Sequence, residues 1–304
     1  KMVGCSVRQP VWICPMGIAK IAGPQGEWAL GAGAASSGIV HCMSTASSMS
    51  IEDIIASVPA DYPYFFQLYV DKQRHKTQEI LTKLEKYKNV EAIFITADLA
   101  TMSKRETDER MNAQEASANG QAAGGLARST GSFIDSALCW DDLPWIRKYS
   151  SKKILIKGIQ TVQDAKQAYE YGCDGIVVSN HGGRAMDNAS PSILVLLEIR
   201  RDCPELFREM EIHIDGGVRR GSDVLKAIMI GARGVGVGRP FQCAVMYNKE
   251  GVEAVAEILR DELDTAMRLC GITDLDAVRG DMSYLNTTEL ERLLPPPPQR
   301  WLKL

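Results

Sequence analysis

Residues 179–187 read SNHGGRAMD, directly after the apolar run GIVV. His181 and Arg184 stand three apart, with two glycines between them. An imidazole takes up a proton near neutral pH. A guanidinium offers a planar fork of donors to a carboxylate or phosphate. The glycines let a ligand approach the backbone. This stretch therefore offers a base beside an anion clamp. A tight turn with incidental polar residues is the plainer alternative, and for a single histidine it is the commoner one.

Other residues weigh against that alternative. Asp98 closes the run AIFITAD (92–98). A carboxylate beside His181 is expected to raise its pKa and to stabilise the imidazolium that a general base becomes. Tyr69, at the end of YFFQLYV (64–70), adds a hydroxyl donor. Lys157 sits deep in ILIKG. A buried, unpaired ammonium is expensive, so it should face either a structural carboxylate or negative charge developing on a ligand. DGGVRRGSD (215–223) and GVGVGRP (234–240) set bare backbone beside arginines. Each leads into helix or turn, which suits a phosphate. That phosphate could belong to a substrate or to a cofactor such as a flavin. His41 and His213 lie inside apolar runs and read as core groups. His75, in DKQRHK, reads as solvated.

The elements that must position these groups are eight short apolar runs: 11–16, 38–44, 64–70, 92–98, 153–158, 175–180, 211–217 and 234–240. They are Val-, Ile- and Phe-rich and mostly continuous, as buried parallel strands are. Helical patterns fall between them at 78–89, 161–172, 190–202 and 222–231, the third with Pro191 at its first helical position. This alternation predicts an α/β fold, a (β/α)8 TIM barrel. A doubly wound open sheet fits less well, because no G-x-G-x-x-G follows the first run. In a barrel, function collects at the C-terminal strand ends. There the chain places Pro15, Met16 and Gly17; Ser44 and Thr45; Gln67 and Tyr69; and Thr96 and Asp98. Further round come Lys157; Ser179, Asn180, His181 and Arg184; Asp215, Gly216, Gly217 and Arg219; and Gly238 and Arg239. The polar stretch 103–132 follows the fourth run, where a lid or binding loop would lie.

The chain has 304 residues, 45% hydrophobic and 24% charged, with a net charge of −3. A large core is possible, and no basic excess points to nucleic acid. No run is long enough for a membrane span. Eight cysteines without a C-x-x-C pair suggest reduced thiols in an intracellular protein, with no metal site. The start, close to the first strand and without a signal-peptide pattern, suggests a fragment or a processed chain. Residues 1–285 are expected to form the barrel. Residues 286–304, with LLPPPPQRWLKL, are expected to form a proline-rich tail.

SNHGGRAMD closely resembles the signature of the FMN-dependent L-2-hydroxy acid dehydrogenases and oxidases. That family includes glycolate oxidase, L-lactate oxidase, mandelate dehydrogenase and flavocytochrome b2. PMGIAKIAGPQGE, MSTASSMSIED, FFQLYV, ITADLATMSKRE, FIDSALCW, ILIKG and DGGVRRGSDVLKAIMIGARGVGVGRPF are similar as well, so the likeness covers about residues 10–275. It looks closest to the flavocytochrome b2 branch. The resemblance implies FMN as cofactor and oxidation of an L-2-hydroxy acid to a 2-oxo acid. It implies His181 as base with Asp98 as its partner. Arg184 and Tyr69 would hold the substrate carboxylate, and Arg105 would support Arg184. Lys157 would stabilise the reduced flavin, and Ser44, Gln67 and Thr96 would bond its ring system. Asp215 would contact the ribityl chain. Gly217, Arg219, Gly238 and Arg239 would take the phosphate. Pro15, Met16, Gly17, Ser179 and Gly216 complete the expected cofactor positions.

The resemblance leaves the electron acceptor open between a cytochrome and O2. It also implies a homotetramer. WLKL does not match the usual peroxisomal ending, which favours a mitochondrial or cytoplasmic location. The chain departs from the family pattern in four ways. The helical segment that precedes the first barrel strand is expected to be missing, which would leave the pocket incomplete. No haem domain is expected within these residues. Met16-Gly17 stands for a commoner Thr-Ala, and Ala100 and Ser103 stand for Pro and Gly. A barrel that binds FMN without turnover, and a different phosphate-binding barrel, are the competing readings.

Overall fold

A computed structural model describes residues 1–103, 105–106, 110 and 131–296. Eight parallel strands close into a barrel in sequence order. They are β1 (Val11–Ile13), β2 (Val40–Ser44), β3 (Tyr64–Leu68), β4 (Val90–Thr96), β5 (Lys153–Ile159), β6 (Gly175–Val178), β7 (Glu211–Asp215) and β8 (Gly234–Val237). β1 pairs with both β2 and β8, so no edge is left open. All eight expected runs form strands. Ser44, Gln67, Thr96, Lys157 and Asp215 lie near the C-terminal ends of their strands, and Tyr69, Asp98, His181 and Arg184 follow in the βα loops.

Alternation along the strands decides what faces the interior. Val40, Cys42, Phe65, Phe94, Leu155, Val177 and Trp12 make one buried cluster, joined from below by Met2, Val3 and Cys5. Phe65 stacks on Phe94 at 4.9 Å, and Trp12 meets Phe94 edge-on at 5.3 Å. Two residues further along the same rows come Ser44, Gln67, Thr96, Lys157 and Ser179, all buried. The barrel interior thus changes from aromatic to polar within one pleat, and the polar layer is the floor of the C-terminal mouth. The opposite strand faces, such as Ile13, Met43, Phe66 and Ile95, pack against the helices.

Helices are found at Arg74–Leu84, Val162–Glu170, Ser192–Asp202 and Gly221–Ile230; the first begins and ends earlier than the expected 78–89, leaving residues 85–89 outside it. Thr161 caps the second, its hydroxyl accepting the Asp164 N–H at 3.0 Å. Pro191 precedes the third helix instead of opening it; its ψ of 133° is extended, and the helix begins at Ser192. Helices Gly26–Ser37 and Asn248–Leu269 have no counterpart among the expected elements. The first is built of small residues, most of them buried, so no alternation of apolar and charged residues marks it. It packs closely on the second: a side chain on Gly33 would come within 2.6 Å of Val252.

Among the described residues no helix is long and apolar enough to cross a membrane, and no cluster of His, Cys, Asp and Glu could hold a metal. The eight cysteines are free thiols. Most of the expected 103–132 loop, and the tail from residue 297, lie outside the described residues.

Candidate active site

At the floor of the mouth, neighbouring strand ends are tied together. Ser44 Oγ donates to Gln67 Oε1 at 3.1 Å, and Gln67 Nε2 donates to Thr96 Oγ1 at 2.9 Å. The parallel register sets Ser44 beside Gln67, and Thr96 beside Lys157.

Past Thr96 the chain turns and brings Asp98 to His181. Asp98 Oδ1 lies 2.9 Å from His181 Nδ1, and the Asp98 side chain is fully buried. Two features of backbone allow this approach. Gly158 has φ +108°, and a side chain there would lie 2.6 Å from Asp98 Cβ. His181 itself has φ +57°, a conformation that costs a non-glycine residue energy and is held by its surroundings. Its N–H donates to Ser179 Oγ at 3.0 Å.

The expectation that His181 titrates above its ordinary value is corrected. Burial lowers it, and the Lys157 and Arg184 charges add to that. The Asp98 bond opposes them but does not prevail, so the net shift is downward from 6.5. Burial likewise opposes the charge on Asp98, but Lys157 and the His181 bond outweigh it and hold the carboxyl below its ordinary range. Asp98 is therefore an anion and His181 a neutral imidazole near pH 7. With Nδ1 bonded to Asp98, Nε2 is the remaining site for a proton.

Lys157 finds the structural carboxylate. Its Nζ lies 3.0 Å from Asp215 Oδ2 and donates to Ser179 Oγ at 3.0 Å. Burial disfavours the ammonium, but Asp215 and Asp98 outweigh burial and hold it above its ordinary value. Lys157 is a permanent buried cation.

Above this floor opens a cavity of about 830 Å³. His181, Tyr69, Arg105 and Arg184 line it, as do Pro15, Met16, Gly17, Ser44, Gln67, Thr96, Lys157, Asp215, Gly216, Gly217, Arg219, Gly238 and Arg239. Nearly all of the sequence-predicted positions therefore converge on one space. Asp98 and Ser179 do not line it; they stand behind His181 and Lys157. Burial pushes the Tyr69 hydroxyl up to about 12, so it remains a donor. Arg105 and Arg184 line the same cavity and, both being cations, form no ion pair with each other. The two act on each other as like charges, and together with Arg239 and burial, Arg105 lowers the Arg184 pKa. Arg184 is held through its backbone instead, where its carbonyl accepts from Ser103 Oγ at 2.5 Å. Arg239 donates to the Gly182 carbonyl at 2.7 Å, which joins the end of β8 to the His181 loop.

Several wall residues escaped sequence reasoning. Ile18, Ala46, Met102 and Ile134 are apolar loop residues with no distinguishing spacing. Gln242 and Cys243 also line the cavity. Their signal was present, since they follow Arg239 by three and four residues and share its helical face.

A closed (β/α)8 barrel with a histidine–carboxylate pair beside a cationic cleft has the architecture of an enzyme scaffold suited to an anionic ligand. The chain belongs to the family of FMN-dependent dehydrogenases, whose model matches residues 1–285. L-lactate dehydrogenase (cytochrome) of Saccharomyces cerevisiae is 37% identical over 301 residues, 94% of this chain and 51% of that protein. Glycolate oxidase 3 of Oryza sativa subsp. indica is 35% identical over 306 residues, 96% of this chain and 82% of that protein. The recombinant flavin-binding domain of baker's yeast flavocytochrome b2 superposes with a TM-score of 0.86 at 35% identity, covering 99% of this chain and 75% of that one. The chain spans about half the length of the two L-lactate dehydrogenases (cytochrome) that it matches.

The family's cofactor is FMN, and the residues present fit it. The cavity is of the size that small-molecule sites occupy. Arg105, Arg184, Arg219 and Arg239 form no ion pair with a carboxylate among the described residues, and Arg105 Nε is buried without a hydrogen-bond partner. Gly217, at φ +82°, has open space where a side chain would be, as a backbone that cradles an anion requires.

Proposed function

We propose that this chain oxidises an L-2-hydroxy acid to the 2-oxo acid with FMN. The observation that carries the reading is the His181–Asp98 pair opening onto the same cavity as Arg184, Tyr69 and Lys157. Arg219, Arg239, Gly217 and Gly238 would hold the FMN phosphate, and Ser44, Gln67 and Thr96 would hydrogen-bond its ring. Bound FMN supplies the acceptor for the two electrons that leave the substrate. Arg184 clamps the substrate carboxylate through its planar fork, and the Tyr69 hydroxyl donates a further hydrogen bond. His181 Nε2 takes one of the two protons that the hydroxy acid loses, and Asp98 stabilises the imidazolium through Nδ1–H. Lys157 keeps a fixed positive charge in a dry site, where it stabilises developing negative charge.

The name of the yeast relative supports a cytochrome-type electron acceptor. The glycolate oxidase likeness supports O2 as the alternative, and oxygen consumption during turnover separates the two. A homotetramer in the mitochondrion or cytoplasm belongs to the same reading, and sedimentation gives the mass that tests it. The functional experiment is an anaerobic absorbance titration of the FMN-loaded protein with L-lactate, glycolate and L-glycerate. Bleaching of the flavin band in the natural sequence, but not in His181→Gln with FMN still bound, supports the proposal. Bound FMN that no 2-hydroxy acid bleaches would falsify it.

A further inference from the structure

Glu27 lies in the first turn of the helix Gly26–Ser37, is 1% exposed, and does not line the cavity. A carboxylate so buried needs partners, and three donors supply them. Its Oε1 accepts the Ala19 N–H at 3.0 Å and the Ser48 N–H at 2.7 Å. Its Oε2 accepts the Ser48 hydroxyl at 2.6 Å. Ala19 belongs to the connection after β1 and Ser48 to the loop after β2. One side chain therefore ties together two connections from neighbouring strands. None of the three donors is a cation, so Glu27 supplies acceptor geometry rather than half of an ion pair.

What this tie holds is a wall of the cavity. Met16, Gly17 and Ile18 after β1 and Ala46 after β2 line it. The Ile18 N–H donates to the Ala46 carbonyl at 3.0 Å, and the Lys20 N–H donates to Ser48 Oγ at 3.2 Å. The wall carries strain. Ile18 stands at φ 53° and ψ 50°, a left-handed conformation that a β-branched residue rarely adopts. Such a conformation lowers its own population by roughly tenfold or more and persists only where the surroundings over-determine it. The bond at Ala19, the very next residue, is the one that Glu27 makes. Gly26 allows the close approach: it has φ +51°, and a side chain there would lie 2.7 Å from Lys20 Cγ.

We infer that Glu27 is a positioning residue: its carboxyl clasps the connections after β1 and β2 and so holds Ile18 and the cavity wall in the shape that takes FMN. The inference rests on FMN filling this cavity, as the proposed function has it, and not on which acid is oxidised. Three variants test it. Glu27→Met nearly keeps the volume and removes every acceptor, which leaves buried N–H donors without partners. Ser48→Ala removes only the hydroxyl arm of the clasp. Glu27→Gln keeps the clasp without the charge. Its carbonyl oxygen accepts both N–H groups, and its amide donates to Ser48 Oγ, which has room for two donors.

The FMN dissociation constant is read from flavin fluorescence, well below the unfolding temperature. It is expected to rise about tenfold in Glu27→Met, where the competent wall is populated in about a tenth of the molecules. It should rise about threefold to tenfold in Ser48→Ala and stay within about threefold in Glu27→Gln. In the FMN-free protein, hydrogen exchange of the Ile18, Ala19 and Ser48 amides should accelerate about tenfold in Glu27→Met, while the amides of β6 and β7 keep their protection. Faster exchange across the whole barrel, with unchanged FMN affinity in the folded fraction, would overturn the inference, because Glu27 would then serve stability alone. Loss of FMN in Glu27→Gln to the same extent as in Glu27→Met would overturn it too, since charge and not geometry would be at work. If Glu27→Met does not fold, the other two variants decide: weakened binding in Ser48→Ala with natural binding in Glu27→Gln supports the inference, and unchanged binding in Ser48→Ala overturns it. If the natural chain takes no FMN, the proposed function fails, and exchange of the Ala19 and Ser48 amides alone decides whether Glu27 is the clasp.

Discussion

The two sides of the barrel mouth treat charge in opposite ways. On the side of β4 to β6, every buried ion has a partner: Asp98 with His181 at 2.9 Å and Lys157 with Asp215 at 3.0 Å. On the rim, Arg105, Arg184, Arg219 and Arg239 share a wall and have no carboxylate among the described residues. The first arrangement is complete before a ligand arrives. It sets protonation states and holds groups in place, as electrostatic preorganisation requires. The second is incomplete, and its like charges repel. Anions supplied by ligands relieve that repulsion, so the rim converts unfavourable electrostatics into affinity. The contrast implies that changes on the paired side damage rate and stability, whereas changes on the rim damage binding.

The sharpest test of the paired side is Asp98→Asn. The amide keeps the shape but removes the charge that stabilises an imidazolium at His181. Turnover is expected to fall about 10²–10⁴-fold with FMN affinity unchanged. Stopped-flow measurement of flavin bleaching checks this, and a comparable loss of FMN would break the division between the two sides. Lys157→Met follows. It leaves Asp215 and Asp98 as buried carboxylates without their cation, at a cost of about 3–5 kcal/mol in unfolding free energy. Urea denaturation should show that loss at pH 7 and a smaller one at pH 4, where the orphaned carboxylates can protonate. A loss independent of pH would mean that packing, not charge, was removed.

The rim predicts the reverse pattern. Arg219→Ala and Arg239→Ala should each weaken FMN by about 10–100-fold, the range for a charge-assisted hydrogen bond. Unfolding of the FMN-free protein should change little in Arg219→Ala, whose guanidinium has no ion-pair partner among the described residues. Arg239→Ala should cost slightly more, because it also releases the Gly182 carbonyl. Equal stability losses in the two would show that the Gly182 bond contributes nothing.

Much of this was legible in the sequence because strand alternation is simple physics. Once GIVHCMS, YFFQLYV and AIFITAD are strands, period two carries the inward rows to Ser44, Gln67 and Thr96 with no further assumption. Glycine beside arginine marked the rim for a similar reason. What could not be read was the balance of opposing effects. The sequence showed that Asp98 would raise the His181 pKa, but burial and two neighbouring cations depend on how the ends of β4, β5 and β6 pack together, and they prevail. Nor could it show which carboxylate would pair with Lys157, because Asp215 reaches it from the end of β7, two strands away. The helix Gly26–Ser37 was hidden because its small residues are chosen for close approach, not for amphipathicity.

The smallest expected effect is also the one that separates the terms acting on His181. Its folded pKa lies below 6.5, so the neutral imidazole needed as a base persists as pH falls through that value. The acid limb of kcat/KM should therefore lie below pH 6.5. The same shift has a stability consequence of fixed sign. Below 6.5 the unfolded chain binds the proton more readily than the folded one, so this histidine lowers stability as pH falls through that window and has no effect above it. In Asp98→Asn the one influence that raises the His181 pKa is gone, while burial, Lys157 and Arg184 remain. The residual activity of that variant should show its acid limb displaced to still lower pH. A limb displaced upward would mean that Lys157 and Arg184, not Asp98, had been altered, and the division of the mouth into a paired floor and an unpaired rim would have to be redrawn.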